Sequence, residues 1–273
     1  MSKYWQDRMA AAQNERTNKS IKEVEEQLTK YYQKTMDSVI KEFENTYVKL
    51  VEQSIEGQAP TPALLYKLDS YWKMQAQLQV ELEKLGDKQV RALSRDFIEQ
   101  YIDIYKSIAL PGEAAFSTID TSTVEQMINQ IWCADGKTWS NRIWTNTGKL
   151  KEALNDGLIA CVVSGKKSAD LRKLLIKEFE IAYNRADSIV RTEMAHIQTQ
   201  AAKNRYQDYG IEEVEILADA DERRCDVCGS LHKKRYNINA HVPIPAHPKC
   251  RCCIVPVLKG LDVKQATKDK VKG

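Results

Sequence analysis

Apolar side chains return every three to four positions through most of the first 210 residues, which predicts a few long helices. The first runs from residue 3 to about 55, with Ile21, Val24, Leu28, Tyr31, Met36, Val39, Phe43, Tyr47 and Leu50 on one face. At ~1.5 Å per residue it would be roughly 75 Å long, an amphipathic rod with one stripe buried in a bundle. The stretch "EGQAPTP" breaks the pattern, and there Thr61 can cap a new helix whose first turn holds Pro62. A second apolar series follows through Leu64, Leu68, Tyr71, Leu78, Leu82, Leu85, Leu93, Phe97 and Tyr101, weakened midway by Gly86. The two series most simply form an antiparallel hairpin.

Residues 110–122, "LPGEAAFSTIDTS", read as a linker. Ser122 and Glu125 have capping-box spacing, so a short helix is expected from Thr123. A helix over 139–163 should stop near Gly165, with Trp132, Trp139 and Trp144 as core anchors. Ser168 opens another long helix, with Leu171, Leu175, Phe179, Ala182, Ala186 and Ile189 on one face, and Gly210 closes it. Beyond Gly210 the period changes. Residues 214–220 alternate weakly and residues 253–258 are short, apolar and interrupted by Pro256, which predicts two strands. The chain therefore divides into a helical arm (1–110), a linker (111–122), a second domain (123–258) ending in a module at 214–258, and a polar, lysine-rich tail (259–273) expected to fray.

Composition supports long helices, because 11 Gly and 7 Pro in 273 residues leave little to interrupt them. A 42% hydrophobic fraction supplies a core. The net charge of +3, from 41 basic and 38 acidic residues, argues against a global polyanion-binding surface and leaves room for a local patch. No apolar run approaches the ~20 residues needed to span a bilayer, and the N-terminal stretch lacks the apolar core of a signal peptide. Seven cysteines, an odd number, fit a soluble protein of a reducing cytoplasm better than a disulfide framework.

Five of those cysteines and three of the four histidines fall within residues 225–253, "CDVCGSLHKKRYNINAHVPIPAHPKCRCC". Cys225 and Cys228 form a C-x-x-C, and His247 and Cys250 form an H-x-x-C downstream. Two residues between ligands let a tight turn aim two side chains at one ion, and two such pairs complete the tetrahedron of a closed structural Zn²⁺ site. The set is overcomplete, since Cys252 could replace His247 or Cys250. In an extended stretch Cys250 and Cys252 share a face and Cys253 points away, as the bystander. His232 and His241 sit in a basic loop and are expected to face solvent. Bound zinc would contribute on the order of 10 kcal/mol of coupled folding energy, which suits a module with very few apolar residues between Cys228 and Val255.

Other chemistry fits less well. A thioredoxin-like pair needs its C-x-x-C at the start of a helix in a β-α-β setting, whereas here a loop is expected after the cysteines. A catalytic zinc keeps one position open beside a base. Asp219, Asp221 and Glu222 are near in sequence, but four or five good ligands favour a closed site. On the preceding helix, Arg191, Glu193 and His196 are expected to form a polar network in which Glu193 accepts from His196 and the helix docks the module.

The segment "DERRCDVCGSLHKK…VPIPAHPKCRCCIVPV" resembles the C-terminal signature of the phage Mu protein F-like family of head morphogenesis, or minor capsid, proteins. Asp221, Arg223, Cys225, Cys228, His247, Pro248, Cys250, Arg251 and Cys252 fall on the family pattern, while Arg224 stands where the family often has Thr. The upstream "ADSIVRTEMAHIQTQ" is similar to the family helix that carries an Arg-Thr-Glu element, here Arg191, Thr192 and Glu193, whose role the sequence leaves open. The resemblance covers roughly residues 140–256. Together with the periodicity and the ligand spacing, it gives an expected fold that is mainly α, with long N-terminal helices in a hairpin or bundle and a helical Mu F-like domain ending in a small zinc-stapled α+β module. The resemblance also implies a non-enzymatic virion protein of the capsid interior, assembled in the bacterial cytoplasm, acting in head morphogenesis at the portal vertex and in DNA packaging or ejection, with the portal protein and the inner capsid or scaffold as partners. The alternative is a DNA-binding protein or metal-dependent nuclease, since "RRC", "HKKR" and the tail supply basic character for phosphate contacts.

Overall fold

The computed structural model describes residues 3–54, 61–109, 119–219 and 221–258. The elements are α1 (Lys3–Ser54), α2 (Pro62–Leu65), α3 (Asp69–Ser107), α4 (Thr121–Ile128), α5 (Trp139–Val163), α6 (Ser168–Asp208), β1 (Glu213–Leu217), α7 (Asp226–Leu231), β2 (Arg235–Asn237) and β3 (Cys253–Pro256). The fold is mainly α with a small C-terminal sheet. No described helix is long and apolar enough to cross a membrane. The tail and most of the expected linker lie outside the described residues.

Several helix ends differ from the sequence pattern for local reasons. Thr61 does cap, its side chain accepting from the Leu64 N–H, but α2 lasts only four residues before the chain turns and α3 restarts at Asp69. The cap of α4 is Asp120 and not Ser122, because the shorter carboxylate takes the Ser122 N–H and the hydroxyls of Ser122 and Thr123. Thr138 and Asn141 form the capping box of α5. At the end of α6, Gly210 takes φ +68° and the Ile211 N–H closes on the Tyr206 carbonyl, a left-handed stop that favours glycine.

The described residues gather into two compact units, each assembled from pieces distant in sequence because α1, α3 and α6 contribute to both. One comprises the described parts of Glu25–Leu93 and Ile131–Asp187. Within it α3 and α5 run antiparallel, with Tyr71 bonded to Asn155 near one end and Gly86 against Trp144 near the other. Likewise α1 and α6 run antiparallel, through Thr29 with Tyr183 and Glu44 with Arg172. Of the nine expected stripe residues on α1, Tyr31 and Met36 are only half-buried, and of the adjacent pair Tyr31 and Tyr32 it is Tyr32 that is buried. Its hydroxyl donates to the Ala182 carbonyl and accepts from Asn146, so a polar link decides which tyrosine turns inward. Trp139 is buried as expected, whereas Trp132 is half-buried and Trp144 is 38% exposed.

The helix α3 runs unbroken through Gly86. A Cβ there would lie 2.4 to 2.8 Å from three ring carbons of Trp144, so the glycine is the seat of that indole.

The other unit comprises the described parts of Met1–Val24, Ser94–Gln130 and Ser188–Gly273. Its strands form an antiparallel sheet of order β2-β1-β3. The edge strand β2 is missing from the sequence pattern's pair, because it lies inside the expected basic loop. Glu215 opposite Arg235 explains it, since their side chains pair at 3.1 Å and Glu215 is buried. Pro256 is tolerated in β3 because that strand is an edge. Buried amides set the register of the helices: Gln13 donates to the Tyr206 hydroxyl and the Ile254 carbonyl, Gln100 to Thr17, and Gln198 to Asn14. Arg205, 4% exposed, closes the end of α3 by donating to the Ile108 carbonyl while its guanidinium lies over Tyr105 and Tyr209.

Two glycine substitutions should move stability in opposite directions. Gly86→Ala displaces the Trp144 ring and should cost about 1–3 kcal/mol. Gly148→Ala, on an exposed face of α5 with nothing within 4 Å of the new methyl, should stabilise by about 0.5–1 kcal/mol. Thermal melts followed by circular dichroism should show a lower Tm for the first and a higher one for the second.

Candidate metal centre

The first half-site is built by a helix cap. Cys225 is the N-cap of α7, in extended conformation, and its Sγ accepts from the Cys228 N–H at 3.4 Å. That bond leaves Cys225 exposed and turns Cys228 inward, where it is buried. The helix stands where the sequence pattern indicates a loop. It is six residues long, and all strand pairings of the sheet are antiparallel, so the β-α-β setting of a thioredoxin-like pair is absent among the described residues.

A turn builds the second half-site. The Cys250 N–H donates to the His247 carbonyl at 3.2 Å across Pro248 and Lys249. Lys249 sits at φ 60°, a conformation that a residue with a side chain adopts reluctantly. His247 Nδ1 lies 2.8 Å from the Pro248 carbonyl, which can only accept, so Nδ1 carries the proton and Nε2 presents its lone pair.

The two halves meet at Cys228. The ligand atoms of Cys225, Cys228 and His247 lie within 4.8 Å of one another, and so do those of Cys228, Cys250 and Cys252. His247 Nε2 is 3.3 Å from Cys225 Sγ and 3.0 Å from Cys228 Sγ, and Cys228 Sγ is 3.8 Å from Cys250 Sγ. Ligands around one tetrahedral ion with bonds of about 2.0–2.3 Å stand about 3.3–3.8 Å apart. The donors are therefore spaced to hold a metal ion. Cys253 turns the other way and packs with Ala10, Leu217 and Val255, fully buried.

The crowded thiols perturb one another. Bonding from Cys252 pulls the Cys250 thiol down to about 5, while burial pushes Cys228 up to about 12. The bond to Cys250 drives the Cys252 thiol far above its ordinary value. The Cys228 N–H lowers Cys225, and the Pro248 carbonyl raises His247. Crowded together, these thiols ionise one at the expense of another unless a positive charge sits among them.

Around the donors the remaining signature residues form a brace. Arg251, between Cys250 and Cys252, donates to both oxygens of Asp221 and to Asp219. Arg223 also donates to Asp221, whose carboxyl is held well below the usual carboxylate range, chiefly by Arg251. Asp221 thus ties the strand-to-helix approach before Cys225 to the chain at Cys250–Cys252. Glu222 and His241 are exposed. His232, expected to face solvent, is half-buried and accepts the Ala218 N–H at Nδ1, so it holds β1 rather than a metal. On α6, Glu193 is 2% exposed and Arg191 half-buried. The Thr192 hydroxyl accepts from the Lys249 N–H at 3.0 Å, a contact no spacing rule reveals.

Metal analysis of the purified chain should find one ion per molecule. Cys228→Ser, which alters the one donor common to both groups, should abolish it and lower the melting temperature sharply. Cys253→Ala should leave the metal content unchanged while costing some stability through its cavity.

The sequence that builds this site is similar to a known family. Residues 152–255 match the model of the family described as Phage Mu protein F like protein. That span runs from the middle of α5 through α6, the sheet and every donor of the cluster. No curated protein matches the chain, and no solved structure does. Over residues 152–255, somewhat more than a third of its length, the chain is thus similar to the Phage Mu protein F like family.

Proposed function

We propose that the protein is a minor capsid protein of a tailed phage, acting in head morphogenesis at the portal vertex, with the cluster of residues 225–252 holding a structural zinc ion. One observation carries the reading: the family match at residues 152–255 contains the whole donor cluster and its Asp221–Arg251 brace. Zinc is favoured among metals by a thiolate-rich donor set with a single imidazole at tetrahedral spacing. A structural role is favoured over a catalytic one by space. The opening beside the donors is about 40 Å³, room for a few waters at most, where small-molecule sites run to several hundred Å³.

The long helices are the surface offered to the portal and the inner capsid or scaffold. A second reading, non-specific DNA contact, draws on the exposed Arg223, Arg224, Lys233, Lys234, Arg235 and Lys249 of the module. It is compatible with the first, because packaged DNA surrounds a protein of the head interior. A nuclease would be a different protein, and cleavage of DNA in the presence of Mg²⁺, Mn²⁺ or Zn²⁺ would support it.

The test uses the intact chain, because removing residues 1–110 would strip Gln13 from its bonds to Tyr206 and Ile254. Co-expressed with the phage portal protein, the full chain should co-sediment with portal oligomers, and mass spectrometry of purified heads should find it at low copy. A chain absent from heads and procapsids, and not retained by portal, would overturn the proposal.

A further inference from the structure

The Arg-Thr-Glu element of α6 has no donor atom in the cluster, yet its central residue touches the turn that carries two of the donors. Within α6 the Thr192 hydroxyl donates to the Ser188 carbonyl at 2.6 Å. Its proton committed there, the Thr192 Oγ1 lone pairs accept the Lys249 N–H at 3.0 Å, from 57 residues further along the chain. Lys249 is the left-handed residue at φ 60° between His247 and Cys250, and the turn closes through the Cys250 N–H and the His247 carbonyl. A residue with a Cβ holds that conformation only where its surroundings fix it. The N–H that Thr192 takes belongs to the strained residue itself.

We propose that Thr192 is a positioning residue for the metal centre. It pins the His247–Cys250 turn to α6 in its ligand-presenting form before an ion arrives. The inference rests on the reading of the cluster as a metal site. Without this bond the Lys249 peptide is free to relax out of the left-handed region, and His247 and Cys250 no longer approach the ion as a preformed pair. Binding must then bear the cost of re-forming the turn, so affinity falls while the helix stays intact. A threonine that served only α6 would not have this effect. Thr199 supplies the comparison: it lies one helical stretch further on, is buried, and makes the same back-bond, to the Ala195 carbonyl at 2.9 Å.

The test is zinc affinity of the full chain, measured by competition with a chromophoric chelator, together with the thiolate charge-transfer and ligand-field bands of the Co²⁺-loaded protein. Thr192→Val keeps the shape and removes the hydroxyl; it should weaken zinc about five- to tenfold and shift the Co²⁺ bands. Thr192→Ser should restore both, and Thr199→Val should leave both at the wild-type values. Wild-type affinity and an unchanged spectrum in Thr192→Val, or equal weakening in Thr199→Val, would overturn the inference while leaving the metal site standing. Uptake of neither ion by the wild-type chain would overturn the metal reading and this inference with it.

Discussion

Four thiols, those of Cys225, Cys228, Cys250 and Cys252, are crowded beside one imidazole, and the thiols repel one another as soon as more than one of them ionises. Cys228 is buried and its burial opposes the thiolate; Cys250, beside it, is pulled towards the thiolate. His247 points a lone pair into the same space because its other nitrogen is tied to the Pro248 carbonyl. A divalent cation at the centre would reconcile these demands. The module has few other means of holding itself together, since the stretch between Cys228 and Cys250 contributes only Ile238, Val242 and Ile244 to the buried apolar set.

The support runs outward from that point in two directions. Across the surface, Arg251 and Asp221 join the chain segments on either side of the cluster, so that the acidic and basic residues of the signature serve the donors between them. Towards the interior, β3 carries Cys253 into a core with Leu217 and Ala10, and the Ile254 carbonyl accepts from Gln13 and from Tyr206. The donors thereby rest on α1 and α6 as well as on the small sheet.

How much of this could be read in the sequence depended on whether a feature repeats or is spaced. The long helices were legible because an apolar stripe over 39 to 52 residues is hard to mistake. The paired half-sites were legible because two intervening residues are a geometric demand of a shared ion. Features resting on one polar bond were not. Strand β2 was hidden in a basic run because its formation turns on Glu215 meeting Arg235, and Asp120 displaced Ser122 as a cap by a hydrogen-bond choice between neighbours. Gly86 illustrates a different limit: as a residue in a helix it reads as a weakness, and only the indole of Trp144 shows it to be a seat. The role of Thr192 lay furthest from view, because its partner is a backbone N–H.

On the proposed function, the helices would present the surface for assembly while the cysteine module holds a fixed shape. The central claim is that the donors share one ion in a closed, sulfur-rich site. X-ray absorption at the zinc edge of the purified full chain tests this most directly. The account predicts four first-shell ligands dominated by sulfur at about 2.3 Å, with at most one nitrogen at about 2.0–2.1 Å. A first shell of oxygen and nitrogen, or a fifth position occupied by water, would contradict it.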